Sequence, residues 1–127
     1  MASVNNKISN KIIGDFGEGM ALDFIREKGY QVKAANYRTM FGEIDIIARD
    51  GECLCFVEVK TRYTSDRGTP FEAITPKKMR HLTKAALCYL REFALEDEMC
   101  RFDVLGIMVD EEGLKIELLK DVFEASM

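Results

Sequence analysis

The stretch from Gly42 to Arg62 constrains this chain more than any other part of it. It reads G-E-I-D-I-I-A-R-D-G-E-C-L-C-F-V-E-V-K-T-R. Two runs rich in Ile, Val, Phe and Cys flank Asp50-Gly51, a dipeptide suited to the tight turn of a hairpin. If Asp50 and Gly51 are the two turn residues, Arg49 faces Glu52, Asp45 faces Phe56 and Glu43 faces Glu58. Side chains alternate between the faces of a sheet, so Asp45, Glu58 and Lys60 fall on one side. Asp45 and Glu58 become diagonal neighbours, about 7–8 Å apart at the backbone. Cys53, Cys55, Val57 and Val59 fall on the other side and read as core. A three-residue loop would invert this parity.

The side that carries Asp45, Glu58 and Lys60 has a chemical reading. Carboxylates brought together raise each other's pKa unless a cation lies between them. Oxygen ligands without His or Cys suit Mg²⁺ or Mn²⁺. Such an ion lowers the pKa of a water it holds and neutralises charge on a phosphodiester. Lys60 would orient that water or stabilise the transition state electrostatically. Against this stands a plainer reading, a surface ion pair of Glu58 with Lys60 beside an exposed Asp45, since an antiparallel pair often leaves one polar face to solvent. Glu18 shares a helical face with Ala21, Leu22 and Ile25. A carboxylate on an apolar stripe needs a partner, which a hydrated cation would supply, unless it sits at the stripe edge and reaches water. Arg62, Lys77 and Lys78 are candidates for binding nucleic-acid phosphates. Asp103 starts a strand on an apolar face and reads as a buried structural carboxylate.

The rest of the chain frames this hairpin. A helix is expected from Asn5 or Ser9 to Lys28, stopped by Gly29. Gly14, Gly17 and Gly19 weaken its first half as a helix but permit close packing. Strands are expected at Gln31–Arg38, Glu43–Arg49, Cys53–Thr61, Arg101–Val109 and Leu114–Leu119. A second helix should run from Thr75 to about Phe93, with Thr75 as N-cap and Pro76 as first residue. Met79, Leu82, Ala86, Tyr89 and Leu90 would form its buried side. The order αβββαββ indicates an α/β fold, a central mixed sheet flanked by helices. With 127 residues and no linker or repeat, one domain over 1–127 follows, residues 1–8 forming a flexible tail.

Charge is unevenly spread. The net charge is −4, yet Lys60 to Arg91 holds eight basic and two acidic residues, leaving −10 for the remainder. Local charge steers a phosphate backbone more than net charge does, although a solvated helix face reads the same way. Cys53, Cys55, Cys88 and Cys100 lack zinc-site spacing and read as reduced, buried thiols. No run of residues approaches a membrane span and no apolar signal segment opens the chain, so a cytoplasmic protein is expected.

Several short motifs occur together. Gly17-Glu18, Ala21 and Lys28-Gly29-Tyr30 come first, followed by N-Y-R at 36–38 and G-E-I-D-I-I-A at 42–48. Then come F-V-E-V-K-T-R at 56–62, Ala73-Ile74, Lys78, A-A-x-x-Y-L at 85–90 and R-F-D-V at 101–104. In this order they resemble the YraN-like family of small bacterial proteins, from about Gly14 to Val122. The resemblance implies a restriction-endonuclease-like fold of the PD-(D/E)XK superfamily, similar to archaeal Holliday-junction resolvases. It implies metal-binding roles for Glu18, Asp45 and Glu58, and catalytic roles for Asp45, Glu58 and Lys60.

The leading expectation is therefore a Mg²⁺- or Mn²⁺-dependent nuclease acting on DNA, branched and single-stranded forms included. A non-catalytic module binding nucleic acid or a protein partner on the same fold is the alternative, and a hydrolase of another phosphoester is a third. The acidic pI of about 5.1 and the small size favour a homodimer or a partner protein.

Overall fold

A computed structural model describes residues 17–63 and 70–125. The helix α1 covers 17–27, and Gly29 follows it with φ +91, the left-handed stop expected of a glycine. The expected helix start at Asn5 or Ser9, and the tail at 1–8, lie outside the described residues. Five strands follow: β1 (Gln31–Thr39), β2 (Gly42–Asp50), β3 (Cys53–Tyr63), β4 (Cys100–Asp110) and β5 (Gly113–Phe123). A short 3-10 turn (Pro70–Ala73) and the helix α2 (Pro76–Glu92) connect β3 to β4. The strands lie in chain order in one sheet, with β3 and β4 parallel and the other pairs antiparallel. This is the expected α/β arrangement, a mixed sheet flanked by helices, and it is consistent with a restriction-endonuclease-like fold.

Each face of the sheet has its own core. On one face, Ala21 and Ile25 of α1 pack on Ile46, Cys55, Val57, Leu105 and Ile107. On the other, Leu82, Ala85, Ala86, Tyr89 and Leu90 of α2 pack on Ile44, Ile47, Leu54, Phe56 and Phe102. Thr75 caps α2, its hydroxyl accepting from Lys78 N at 3.1 Å, with Pro76 in the first turn. The buried side of α2 is as expected except that Met79 is only half-buried. Both parallel strands are apolar on their two faces because a helix covers each face.

Two details depart from the sequence expectation. The turn is Gly51-Glu52, so Asp50 pairs with Cys53 and Ile47 with Phe56. Gly51 has φ +59 and takes the first central position of a two-residue turn, which glycine tolerates without strain. Freed from the turn, the Asp50 carboxylate accepts from Arg101 Nη2 at 2.9 Å. The shift is two residues, so side-chain parity survives, but the expected pairings of Asp45 with Phe56 and of Glu43 with Glu58 do not. The face bearing Glu58 is also not an open polar face: α2 covers it, and Glu58 is only 3% exposed.

The approach of α1 to the sheet depends on a glycine. A Cβ on Gly17 would meet Thr61 Oγ1 at 3.1 Å and Ile107 Cδ1 at 3.4 Å. The absence of a side chain lets the helix approach β3 and β4 closely, which places Glu18 near the sheet.

Asp103 behaves as expected. It is 1% exposed and takes Arg101 Nε on both oxygens at 3.0 and 3.1 Å, plus Asp121 N at 2.9 Å. Arg101 also donates to Tyr30 Oη at 2.7 Å. This network ties α1's exit, β2 and β4 together. Cys53 and Cys55 are buried, but Cys88 is half-buried and Cys100 exposed, so burial holds for only two of the four thiols.

Candidate active site

The site begins with a break in the alternation of β2. Ile44 and Ile47 belong to the α2-side core, whereas Ile46 and Ala48 belong to the α1-side core. Asp45 sits at the change of phase. Across from it in the β1 register lies Asn36, with φ +54, a left-handed conformation that asparagine adopts more readily than most residues. The Asp45 carboxylate consequently reaches β3, where Oδ2 accepts from the backbone N–H of Val59 at 2.8 Å. The last β2–β3 pair is Ile46 with Val57, so Asp45 and Glu58 are the next residues of their strands. Asn36 was not singled out from the sequence. Its only signal was its residue type within the N-Y-R motif.

The two carboxyl groups interact directly. The pKa of Asp45 is raised to about 7, first by burial and then by the Glu58 charge. The Val59 N–H opposes this rise, while a hydrogen bond with Glu58 and the Glu18 charge add to it. Both other carboxylates named from the sequence thus act on Asp45. Among the described residues, however, no group of three or more His, Cys, Asp or Glu side chains is close enough to hold a metal ion together. Asp45 and Glu58 form the close pair, and Glu18, half-buried on α1, acts as a charge at longer range.

Two ammonium groups converge on the buried partner. Lys60 Nζ lies 3.4 Å and Lys78 Nζ 3.1 Å from Glu58 Oε2. Lys60 reaches it from two residues along β3, and Lys78 from the first turn of α2. A surface ion pair, the plainer reading of E-x-K, does not describe a carboxylate this buried. Of the three residues expected to hold phosphate, Lys78 is on Glu58. Arg62 donates to the carbonyl of its neighbour Thr61 at 3.1 Å, and Lys77 is exposed at the start of α2.

The donor set suits a hard divalent cation. It offers two carboxylates, one of them holding a proton at an unusually high pH, and neither His nor thiol. Mg²⁺ often takes only one or two protein carboxylates and fills its octahedron with water and substrate oxygens. Asp45 and Glu58 meet that requirement, and Glu18 could engage the outer water shell.

Comparison with known proteins places these residues in a wider group. A family model described as "Uncharacterised protein family UPF0102" matches residues 17–107, which include α1, the hairpin, α2 and most of β4. A UPF0102 protein of Syntrophus aciditrophicus is 46% identical over 111 residues, 87% of each chain. One of Geotalea daltonii is 43% identical over 119 residues, covering 93% of this chain and 94% of the relative. One of Chlorobium limicola is 45% identical over 98 residues, 77% of this chain and 76% of the relative. Among the described residues no helix is long and apolar enough to cross a membrane.

Proposed function

The chain belongs to the uncharacterised protein family UPF0102, the YraN-like family that its motifs resembled, and from its site we propose a Mg²⁺- or Mn²⁺-dependent nuclease that hydrolyses phosphodiester bonds of DNA. The observation that carries this reading is the Asp45–Glu58 pair. Two interacting carboxyl groups are held at the end of a β-hairpin, one of them raised to about pKa 7 by burial and by the charge of the other.

In this reading Asp45 and Glu58 hold the ion, and Glu18 orients water around it. The bound cation supplies Lewis-acid activation of water and neutralises phosphate charge. The chain's own residues do the rest. The Val59 N–H fixes one oxygen of Asp45, so the carboxylate keeps its aim when substrate arrives. Lys60 and Lys78 set two ammonium groups against the buried Glu58 carboxylate. Lys60 would stabilise charge on the phosphoryl oxygens in the transition state. The exposed Lys77, together with Arg80 and Arg91 along α2, extends a basic surface beside the site for the neighbouring phosphates.

A non-catalytic nucleic-acid module on the same fold would use those basic residues but would have no need of a buried, interacting carboxylate pair. The test is a cleavage assay on linear, single-stranded and junction DNA with Mg²⁺ or Mn²⁺. Wild type should cut at least one of these, with Lys60→Ala and Asp45→Ala slower by about 100-fold or more, as for loss of one preorganised electrostatic group. Three equally inert proteins that still bind DNA would establish the binding module instead.

A further inference from the structure

Glu58 belongs to a lateral row that crosses the sheet on the α2 face. In the β3–β4 register Glu58 is level with Val104, and in the β4–β5 register Val104 is level with Leu119. With Asp45 on the β2 side, the row passes from two acids to two aliphatic residues. The aliphatic half forms the floor of an open groove of about 360 Å³. Phe71 and Ile74 of the crossover, Met79 of α2, and Lys120, Val122 and Phe123 of β5 complete its walls. Met79 follows Lys78, whose ammonium is on Glu58, so the groove and the carboxylate pair share a border on both the sheet and the helix.

We propose that this groove seats an unpaired nucleobase of a DNA strand whose adjoining phosphate lies at the Asp45–Glu58 pair. The inference rests on reading that pair as a phosphodiester site. The walls present ring and aliphatic surface and few hydrogen-bonding groups, which suits the flat face of a base and not its coded edge. A base within a duplex is stacked on both faces, so only an unpaired or extruded base offers that surface. The volume fits a ligand of nucleoside size. Charge complementarity supports a nucleic-acid strand here: Lys77 and Arg80 are exposed on α2 within two residues of Met79 and offer positive charge to its backbone. The groove therefore makes single-stranded DNA, or the unpaired part of a branched one, the preferred substrate, without sequence selectivity.

Fluorescence anisotropy with the full chain tests this. The probes are labelled oligothymidylate and a strand of the same length with abasic residues, both in chelator so that they stay whole. The ordinary strand should bind about tenfold tighter, the scale of one lost base stack. Leu119→Ser and Phe71→Ser should abolish that preference while leaving abasic binding unchanged. Leu119 is 38% exposed, so its replacement tests the groove without emptying the core, and thermal melting verifies the fold. Equal affinity for the two strands, or a preference that both variants retain, overturns the proposal. If wild type nevertheless cleaves DNA with Mn²⁺, the nuclease reading survives that result. If wild type neither binds nor cleaves any strand, both fall.

Discussion

The backbone N–H of Val59 donates to Asp45 Oδ2 at 2.8 Å, where β2 and β3 cease to pair. A side chain completes the ladder at that point, so a potential metal ligand is held with the precision of a strand. Burial and the carboxylates of Glu58 and Glu18 still raise its pKa to about 7. Stability should follow. The unfolded carboxyl loses its proton near its ordinary value, whereas the folded one keeps it to about pH 7. Between those values the folded state binds more protons, so stability falls as pH rises. Thermal melting without divalent ions should show this decline from about pH 5 to 7, and Asp45→Asn should flatten it and raise the midpoint near pH 7 by about 4 °C or more. An unchanged slope in Asp45→Asn would show that the raised pKa is not felt in folding.

Lys60 and Lys78 share one oxygen of Glu58, yet removing them should have different consequences. Lys78→Ala removes the closer contact to a buried carboxylate, and should destabilise the fold by about 1 kcal/mol, since the ammonium is partly solvated. Lys60→Ala should affect turnover more than stability. Urea titrations and single-turnover cleavage on the two variants separate these effects, and an equal loss of both properties would contradict the division.

Two glycines of α1 should respond in opposite ways. Gly17 faces Thr61 and Ile107 at contact distance, whereas a Cβ on Gly19 would have nothing within 4 Å. Gly17→Val should destabilise by about 1–3 kcal/mol through overpacking. Gly19→Ala should stabilise by up to about 1 kcal/mol through helix propensity. Chemical denaturation reads both, and stabilisation by Gly17→Val would show that α1 does not sit against β3.

The Arg101–Asp103 pair is the structural counterpart of the site. Asp103 is almost wholly buried, so Arg101→Ala leaves its carboxylate, among the described residues, with only the Asp121 N–H, and should cost about 3–5 kcal/mol. Double replacement by Arg101→Met and Asp103→Leu should recover much of that loss, as apolar pairs of similar volume commonly do. A double variant no more stable than Arg101→Ala would place the importance of the network elsewhere.

Much of this arrangement was legible in the residues, and the failures have physical causes. Parity in the hairpin depended only on an even loop, and both Asp50-Gly51 and Gly51-Glu52 supply one. Register was harder, because Cys53, Leu54, Cys55, Phe56 and Val57 are all buried and β3 carries no polar alternation to anchor it. The burial of Glu58 depended on α2 returning across that face, a tertiary fact that no local pattern encodes. The positive φ of Asn36 and the change of face around Asp45 were equally hidden, since a break in alternation looks the same in sequence as a strand with one misplaced polar residue. Lys78 was assigned to phosphate because a basic residue on a helix gives no sign of a carboxylate 20 positions earlier.

Asp45 and Glu58 should together make a cation site. Isothermal titration calorimetry of the full chain with Mn²⁺ measures this directly. One ion should bind per chain, releasing protons below about pH 7 as Asp45 ionises, and Asp45→Asn should weaken the affinity by about tenfold or more, in line with the loss of a charged ligand. Mn²⁺ affinity and proton release that are the same in wild type and Asp45→Asn would contradict it.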